Sequence, residues 1–177
     1  TRQIKIASGY GTNIYNGSIV AIVAGGTIEI VTTNGDNSTG FPAGTIGVFV
    51  GCSYTDPNSS QKVFRQNWPT GTVASDAMAY IVDDPDCLFQ VQADGAVTQA
   101  DLGQNTHLAA VQSTSTGSTT TGNSTSAVTA TTATTSGFAF RIVDFVDGPE
   151  STVGDAFTDL IVKFNPDSHS YTNKTGI

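Results

Sequence analysis

Apolar positions along this chain recur in short bursts separated by Gly, Asn, Asp and Pro, a pattern that predicts strands joined by turns. "SIVAIVAGGTIEIV" gives two apolar runs, Ile19 to Val23 and Ile28 to Val31, joined through Ala24 to Thr27, and is read as a hairpin. "TIGVFVGCSY" is read as a strand with Ile46, Val48, Val50, Cys52 and Tyr54 on one face. Phe49 between Gly47 and Gly51 signals a second buried face or a close backbone approach. Further strands are expected at the start of "QIKIASGYGTNIY", in "KVFRQNW", "AMAYIV", "LFQVQA" and "FAFRIVDFV", and at "DLIVKF". No amphipathic helical stretch interrupts them. Thr98, Asp101 and Gly103 predict at most one short capped helical turn.

The intervening segments are polar. Thr32 to Gly44 is expected to be an exposed loop around Asn34-Gly35 and Pro42. Residues 113–137 are a low-complexity Ser/Thr/Gly/Ala stretch that suits a solvated loop or a Thr-rich polar strand. Residues 1–12 are a candidate N-terminal arm, and residues 165–177 a candidate exposed tail. The prediction is one all-β domain over residues 1–177, a β-barrel or β-tulip/sandwich of short antiparallel strands with long Ser/Thr/Gly-rich loops. The chain opens at Thr1 rather than Met, so a segment upstream is expected.

Composition narrows the function classes. The net charge of -8 opposes the phosphate attraction that drives nucleic-acid binding. No apolar run approaches the length of a membrane span, and no signal peptide opens the chain. Neither nucleic acid nor membrane is therefore an expected partner. Cys52 and Cys87 are expected as free, partly buried thiols. The N-x-[ST] triplets at Asn16, Asn37, Asn58, Asn123 and Asn173 are read as chance in so Ser/Thr-rich a chain.

Catalytic and metal patterns fail one by one. "YIVDDPDCLFQVQADG" places Asp83, Asp84 and Asp86 around Pro85, but in a calcium-loop register from Asp84 the third ligand position is Leu88 and the essential glycine is Phe89. Adjacent Asp83 and Asp84 on an extended chain point to opposite faces, which does not suit a carboxylate pair. The cluster is read as a proline-fixed structural turn of Asp83, Asp84, Pro85 and Asp86. Gly9 and Gly11 lack the third glycine of a dinucleotide fingerprint, Ile14 standing in its place. His107 and His169 belong to no zinc or triad motif and are read as surface or satisfied histidines. No cofactor, no metal and no enzymatic activity are expected. Trp68 beside Pro69, with Tyr54 and Phe64, forms either an aromatic platform for sugar or a set of core or interface anchors, the latter being favoured.

The succession "GVFVGCSYTDPNS", Trp68-Pro69, "AYIVDDPDCLFQVQADG", "LGQN", "TTTGNST", "FRIVDFVDGP" and "GDAFTDLIVKFN" resembles the capsid decoration, or cement, proteins of tailed bacteriophages, most closely those of marine phages such as cyanophages. The resemblance runs from about Ile6 to the C-terminus. It implies a non-enzymatic virion protein of β-barrel or β-tulip type on the outer surface of the capsid, assembled in the bacterial host cytoplasm. Its implied partners are the major capsid protein and further copies of itself, a homotrimer being favoured. Arg2 and Lys5, a basic foot, together with Tyr10 and Trp68, are candidate capsid or subunit contacts. A carbohydrate-binding or host-adhesion β domain is the alternative, motivated by the Ser/Thr-rich loops and the aromatic residues.

Overall fold

In the computed structural model, which describes residues 1–36 and 40–177, the chain is all-β, with two antiparallel sheets and two 3-10 turns. The first sheet holds β1 (Arg2–Lys5), β2 (Ile19–Ile22), β3 (Ile28–Ile30), β4 (Thr45–Thr55), β5 (Lys62–Arg65) and β6 (Met78–Val82). Its order is β1-β6-β4-β2-β3, with β5 alongside β4. The second holds β7 (Phe89–Gln92), β8 (Asn105–Thr106), β9 (Phe140–Phe145) and β10 (Asp159–Phe164) in the order β7-β10-β9-β8.

Strand β2 shows why its sequence is continuously apolar rather than alternating. Val20 and Ile22 pack into one core with Ile4, Ile28, Phe49, Trp68 and Ile81, on the side covered by the chain's own loops. Ile19 and Ala21 project the other way, into a second core shared with Phe140, Ile142, Leu160, Val162 and Phe164 of the second sheet. A strand buried on both faces needs apolar residues at both parities. Each Ile or Val so buried contributes roughly 1.5–3 kcal/mol, so a polar substitution at either parity is costly.

The predicted β2–β3 hairpin is present, with Val20 opposite Ile30 and Ile22 opposite Ile28. Strand β4 departs from strict alternation. Its pairing with β2 shifts at Val20/Ala21 and its pairing with β6 shifts at Phe49/Gly51. These bulges put Ile46, Phe49, Cys52 and Tyr54 in the first core, turn Val48 toward the second and leave Val50 37% exposed. The expected single face from Ile46 to Tyr54 is therefore corrected, whereas the close approach inferred at Gly47 is real. Its φ is +142°, and a Cβ there would sit 2.0 Å from the Val82 carbonyl oxygen.

Three segments expected to be loose are fastened. The N-terminal residues are no free arm, because β1 pairs with β6 from Arg2 opposite Ile81 to Lys5 opposite Met78. In the Thr32–Gly44 loop, of which residues 37–39, including Asn37, lie outside the described residues, Phe41 is buried. It packs edge-on against Phe140 at 5.3 Å and beside Phe164 at 6.2 Å. The tail packs through Asn165, Ser168 and His169, all buried, and Ser170 N–H donates to the Thr45 carbonyl at 2.6 Å. Pro166–Ser168 forms a 3-10 turn beyond the one expected at Thr98, which is present as Gln99–Asp101 with the Thr98 amide donating to Asp101 Oδ2 at 2.9 Å.

The low-complexity stretch is also held. Gln112, just before it, is buried where the β2–β3 ladder opens. Ile19 N–H donates to Gln112 Oε1 at 2.8 Å, and Gln112 Nε2 donates to the Val31 carbonyl at 3.0 Å. The side-chain amide thus replaces a missing backbone link. Beyond it, Asn123 bridges Asn16, Val128 bridges both Ala93 and Leu108, and Ala133 bridges Asn105. A Cβ at Gly117 would lie 2.3 Å from the Tyr15 ring. The segment makes isolated bridges rather than the continuous Thr-rich strand considered above.

Candidate functional site

The aspartate cluster sits where the chain leaves the first sheet at Val82 and enters the second at Phe89. Pro85 fixes φ inside a turn closed by the Cys87 N–H donating to the Asp84 carbonyl at 3.1 Å. The Asp84 side chain accepts the Asp86 amide at 2.8 Å, the local bond that makes Asp a turn former. The other two carboxylates reach outward in sequence. Asp83 accepts the Tyr171 hydroxyl at 2.9 Å, and Tyr171 in turn accepts from the Arg2 guanidinium. Asp86 pairs with Lys163 of β10. The hydrogen bond from the Lys163 ammonium, and then its charge, hold the Asp86 carboxyl below the usual carboxylate range. The three carboxylates diverge toward three different partners: Asp84 closes the turn itself, while Asp83 and Asp86 fasten the sheet crossing to the tail, and through Tyr171 to the N-terminus, and to β10. Among the described residues no group of three His, Cys, Asp or Glu side chains gathers in metal-binding geometry.

The other sequence candidates separate. Trp68 is fully buried, edge-on to Tyr54 at 5.4 Å, with its indole N–H donating to the Tyr10 carbonyl at 3.2 Å. It offers no surface to a partner, and with Tyr54 it is a core anchor. Tyr10 is half-buried and its hydroxyl accepts the Ile30 amide at 3.1 Å, while burial raises its phenol above the ordinary value. Arg2 and Lys5 are exposed on β1. Phe64 alone of the aromatic trio faces solvent, at 73% exposure, so no shared sugar platform forms.

His107 and His169 lie in different settings. His107 Nδ1 contacts the Leu108 carbonyl at 2.8 Å and the ring packs edge-on to Phe138 at 4.7 Å. His169 is buried between Phe164 and Tyr171, and its Nδ1 accepts the Tyr171 amide at 3.2 Å. Burial lowers its pKa, while the Ile46 backbone and the charges of Asp83 and Asp84 pull the other way. Nε2 has no partner in hydrogen-bond geometry among the described residues. Both cysteines are free. Cys52 is buried in the first core, which pushes its thiol up to about 12, and Cys87 is half-buried in the crossing turn.

Two features escaped sequence reasoning. A cavity of about 300 Å³ lies between the sheets, lined by apolar residues that include Val48, Phe89, Val128 and Val162, with Asn16, Ser124 and Ser126 among its polar groups. Its lining carries no charged side chain, so it can hold a neutral apolar group but offers no strong acid or base. The second is the exposed face around Phe64. A lone aromatic between Lys62 and Arg65 is the available signal, since a core-facing strand position is seldom flanked by cations on both sides.

No family model matches the chain, and neither curated proteins nor solved structures give a significant match.

Proposed function

We propose that this chain is a structural virion protein that binds the outer surface of the major capsid protein lattice of a tailed phage and stabilises the expanded head. One observation carries the reading: the four longest of the quoted segments that resemble capsid decoration proteins fall on strands of the two sheets. "GVFVGCSYTDPNS" is most of β4 and the turn after it, "AYIVDDPDCLFQVQADG" is β6, the sheet crossing and β7, and "FRIVDFVDGP" and "GDAFTDLIVKFN" contain β9 and β10. Much of the resemblance therefore lies in strands of the two sheets and in the aspartate turn that crosses between them, the shorter segments at Trp68-Pro69, "LGQN" and "TTTGNST" lying mainly in the connections.

The rest of the reading follows from multivalency. A rigid β domain with fastened loops loses little conformational freedom on docking. Repeated lattice sites raise the effective concentration for each further contact. A protein that binds only the expanded shell, present at 100 times its dissociation constant, stabilises it by about 2.7 kcal/mol per site. Outward pressure from packaged DNA is then resisted by added interface, with no catalytic step, metal or cofactor.

Co-sedimentation with unexpanded and expanded shells of a tailed-phage major capsid protein tests this. Binding to expanded shells in register, with a raised disruption temperature, is expected. Binding to neither the shells nor the isolated capsid protein overturns it. A glycan array and a host-adsorption assay test the carbohydrate-binding alternative, for which Phe64 is the one exposed member of the Trp68, Tyr54 and Phe64 set.

A further inference from the structure

We propose that the C-terminal segment from His169 to Ile177 is an acid-released latch, opened when protonation of His169 removes the acceptor that holds the Tyr171 amide. The chain leaves the second sheet at Phe164 and is pinned first through Asn165 and Ser168, both buried. Ser168 Oγ accepts the Phe41 amide at 3.3 Å, which locks this part of the tail to the loop that fills the second core. From His169 onward the segment is organised by one residue. The His169 carbonyl accepts the Thr172 amide at 3.0 Å and the Asn173 amide at 2.8 Å, and its Nδ1 accepts the Tyr171 amide at 3.2 Å. Two contacts then fasten the segment to the sheets: Ser170 N–H donates to the Thr45 carbonyl at 2.6 Å, and the Tyr171 hydroxyl donates to Asp83 while accepting from Arg2.

The ring can make its contact in one protonation state only. An accepting Nδ1 leaves the hydrogen of the neutral imidazole on Nε2. Nε2 has no partner in hydrogen-bond geometry among the described residues, and the ring is buried, edge-on to Phe164 at 5.6 Å and to Tyr171 at 5.2 Å. Protonation puts a hydrogen on Nδ1, which then faces the Tyr171 N–H as donor against donor. It also places a charge among aromatic rings.

The groups that face this cation from neighbouring elements are Asp83 and Asp84 of the sheet crossing and the Ile46 backbone of β4, and all of them favour it. Burial opposes it and prevails. On the tail itself Tyr171 faces the ring, its hydroxyl held between Asp83 and Arg2. An open, solvated segment takes up the proton without these costs, so acid shifts the equilibrium toward it. Opening withdraws the ring from Phe164 and frees Asp83 and Arg2 together. The device is independent of the lattice reading, and its test contains no shells.

Native-state hydrogen exchange of the full chain at about pH 7.5 and about pH 5.5, corrected for intrinsic exchange, reads the opening. The Ser170, Thr172 and Asn173 amides are expected to be less protected than the β4–β6 ladder at both pH values, the mark of a local opening. At the lower pH they are expected to lose protection by up to about tenfold. His169→Gln cannot take up a proton and is expected to abolish that loss, with cooperative urea unfolding certifying its fold. Without any substitution, the ring nitrogen-15 shifts of His169 at about pH 7.5 are expected to show hydrogen on Nε2 and none on Nδ1. Hydrogen on Nδ1 overturns the proposal, as does tail protection equal to that of the ladder. So does a loss smaller than about twofold, or the same loss in the His169→Gln variant.

Discussion

Gln112→Ala removes the side-chain amide that closes the β2–β3 ladder. In the folded protein Ile19 N–H donates to Gln112 Oε1 at 2.8 Å, and Gln112 Nε2 donates to the Val31 carbonyl at 3.0 Å and to the Ile19 carbonyl at 3.1 Å. The Ile19 carbonyl keeps a second partner, the Val31 amide at 3.0 Å. Two backbone groups, Ile19 N–H and the Val31 carbonyl, are then stranded between buried residues. Each orphaned group costs about 1–3 kcal/mol, so the expected loss is on the order of 3 kcal/mol, a large part of the stability of an ordinary domain. Gln112→Glu should not rescue it, because a carboxylate accepts the Ile19 amide but cannot donate to the Val31 carbonyl. Equilibrium urea unfolding measures the effect as a lowered midpoint at unchanged m-value. The neighbouring exposed change Ser113→Ala should move stability by less than about 0.5 kcal/mol. If Gln112→Ala costs no more than Ser113→Ala, the bridging role is refuted.

Further outcomes follow from the same structure. Phe41→Ala should destabilise by about 3–5 kcal/mol in urea titration, against less than about 0.5 kcal/mol if the loop carrying it were solvated. Thermal stability should fall as the pH drops from about 6.5 toward 5. The neutral form of His169 is favoured in the fold, so its contribution is complete above the unfolded pKa and is lost below it. The lowered carboxyls of Asp86 and Asp101, the latter held down first by the Thr132 hydroxyl, lose their contribution only below about pH 4. His169→Gln should flatten the slope between pH 7 and 5; an unchanged slope sinks the assignment. In native protein a thiol reagent should modify Cys87 and leave Cys52 untouched until denaturant is added, and equal rates would contradict the burial of Cys52.

Sequence alone determined the strand-and-turn character, the β2–β3 hairpin and the aspartate turn. Each depends on local chemistry: side-chain parity, the fixed φ of Pro85, and the short reach of Asp84 to the amide of Asp86. Tertiary structure alone decided that the turn crosses between sheets, that Trp68 is core while Phe64 is surface, and that polar loops are anchored. Those outcomes depend on partners far along the chain, such as Lys163 for Asp86, Tyr171 for Asp83 and Val31 for Gln112. The bulges in β4 were equally beyond a period-2 pattern, because one extra residue reverses which face every later side chain takes. Polar residues carry no periodic signature of burial, so a Thr/Ser-rich sequence looks the same whether it is solvated or laced to a sheet. The difference is made by the backbone groups that the sheet leaves open to it.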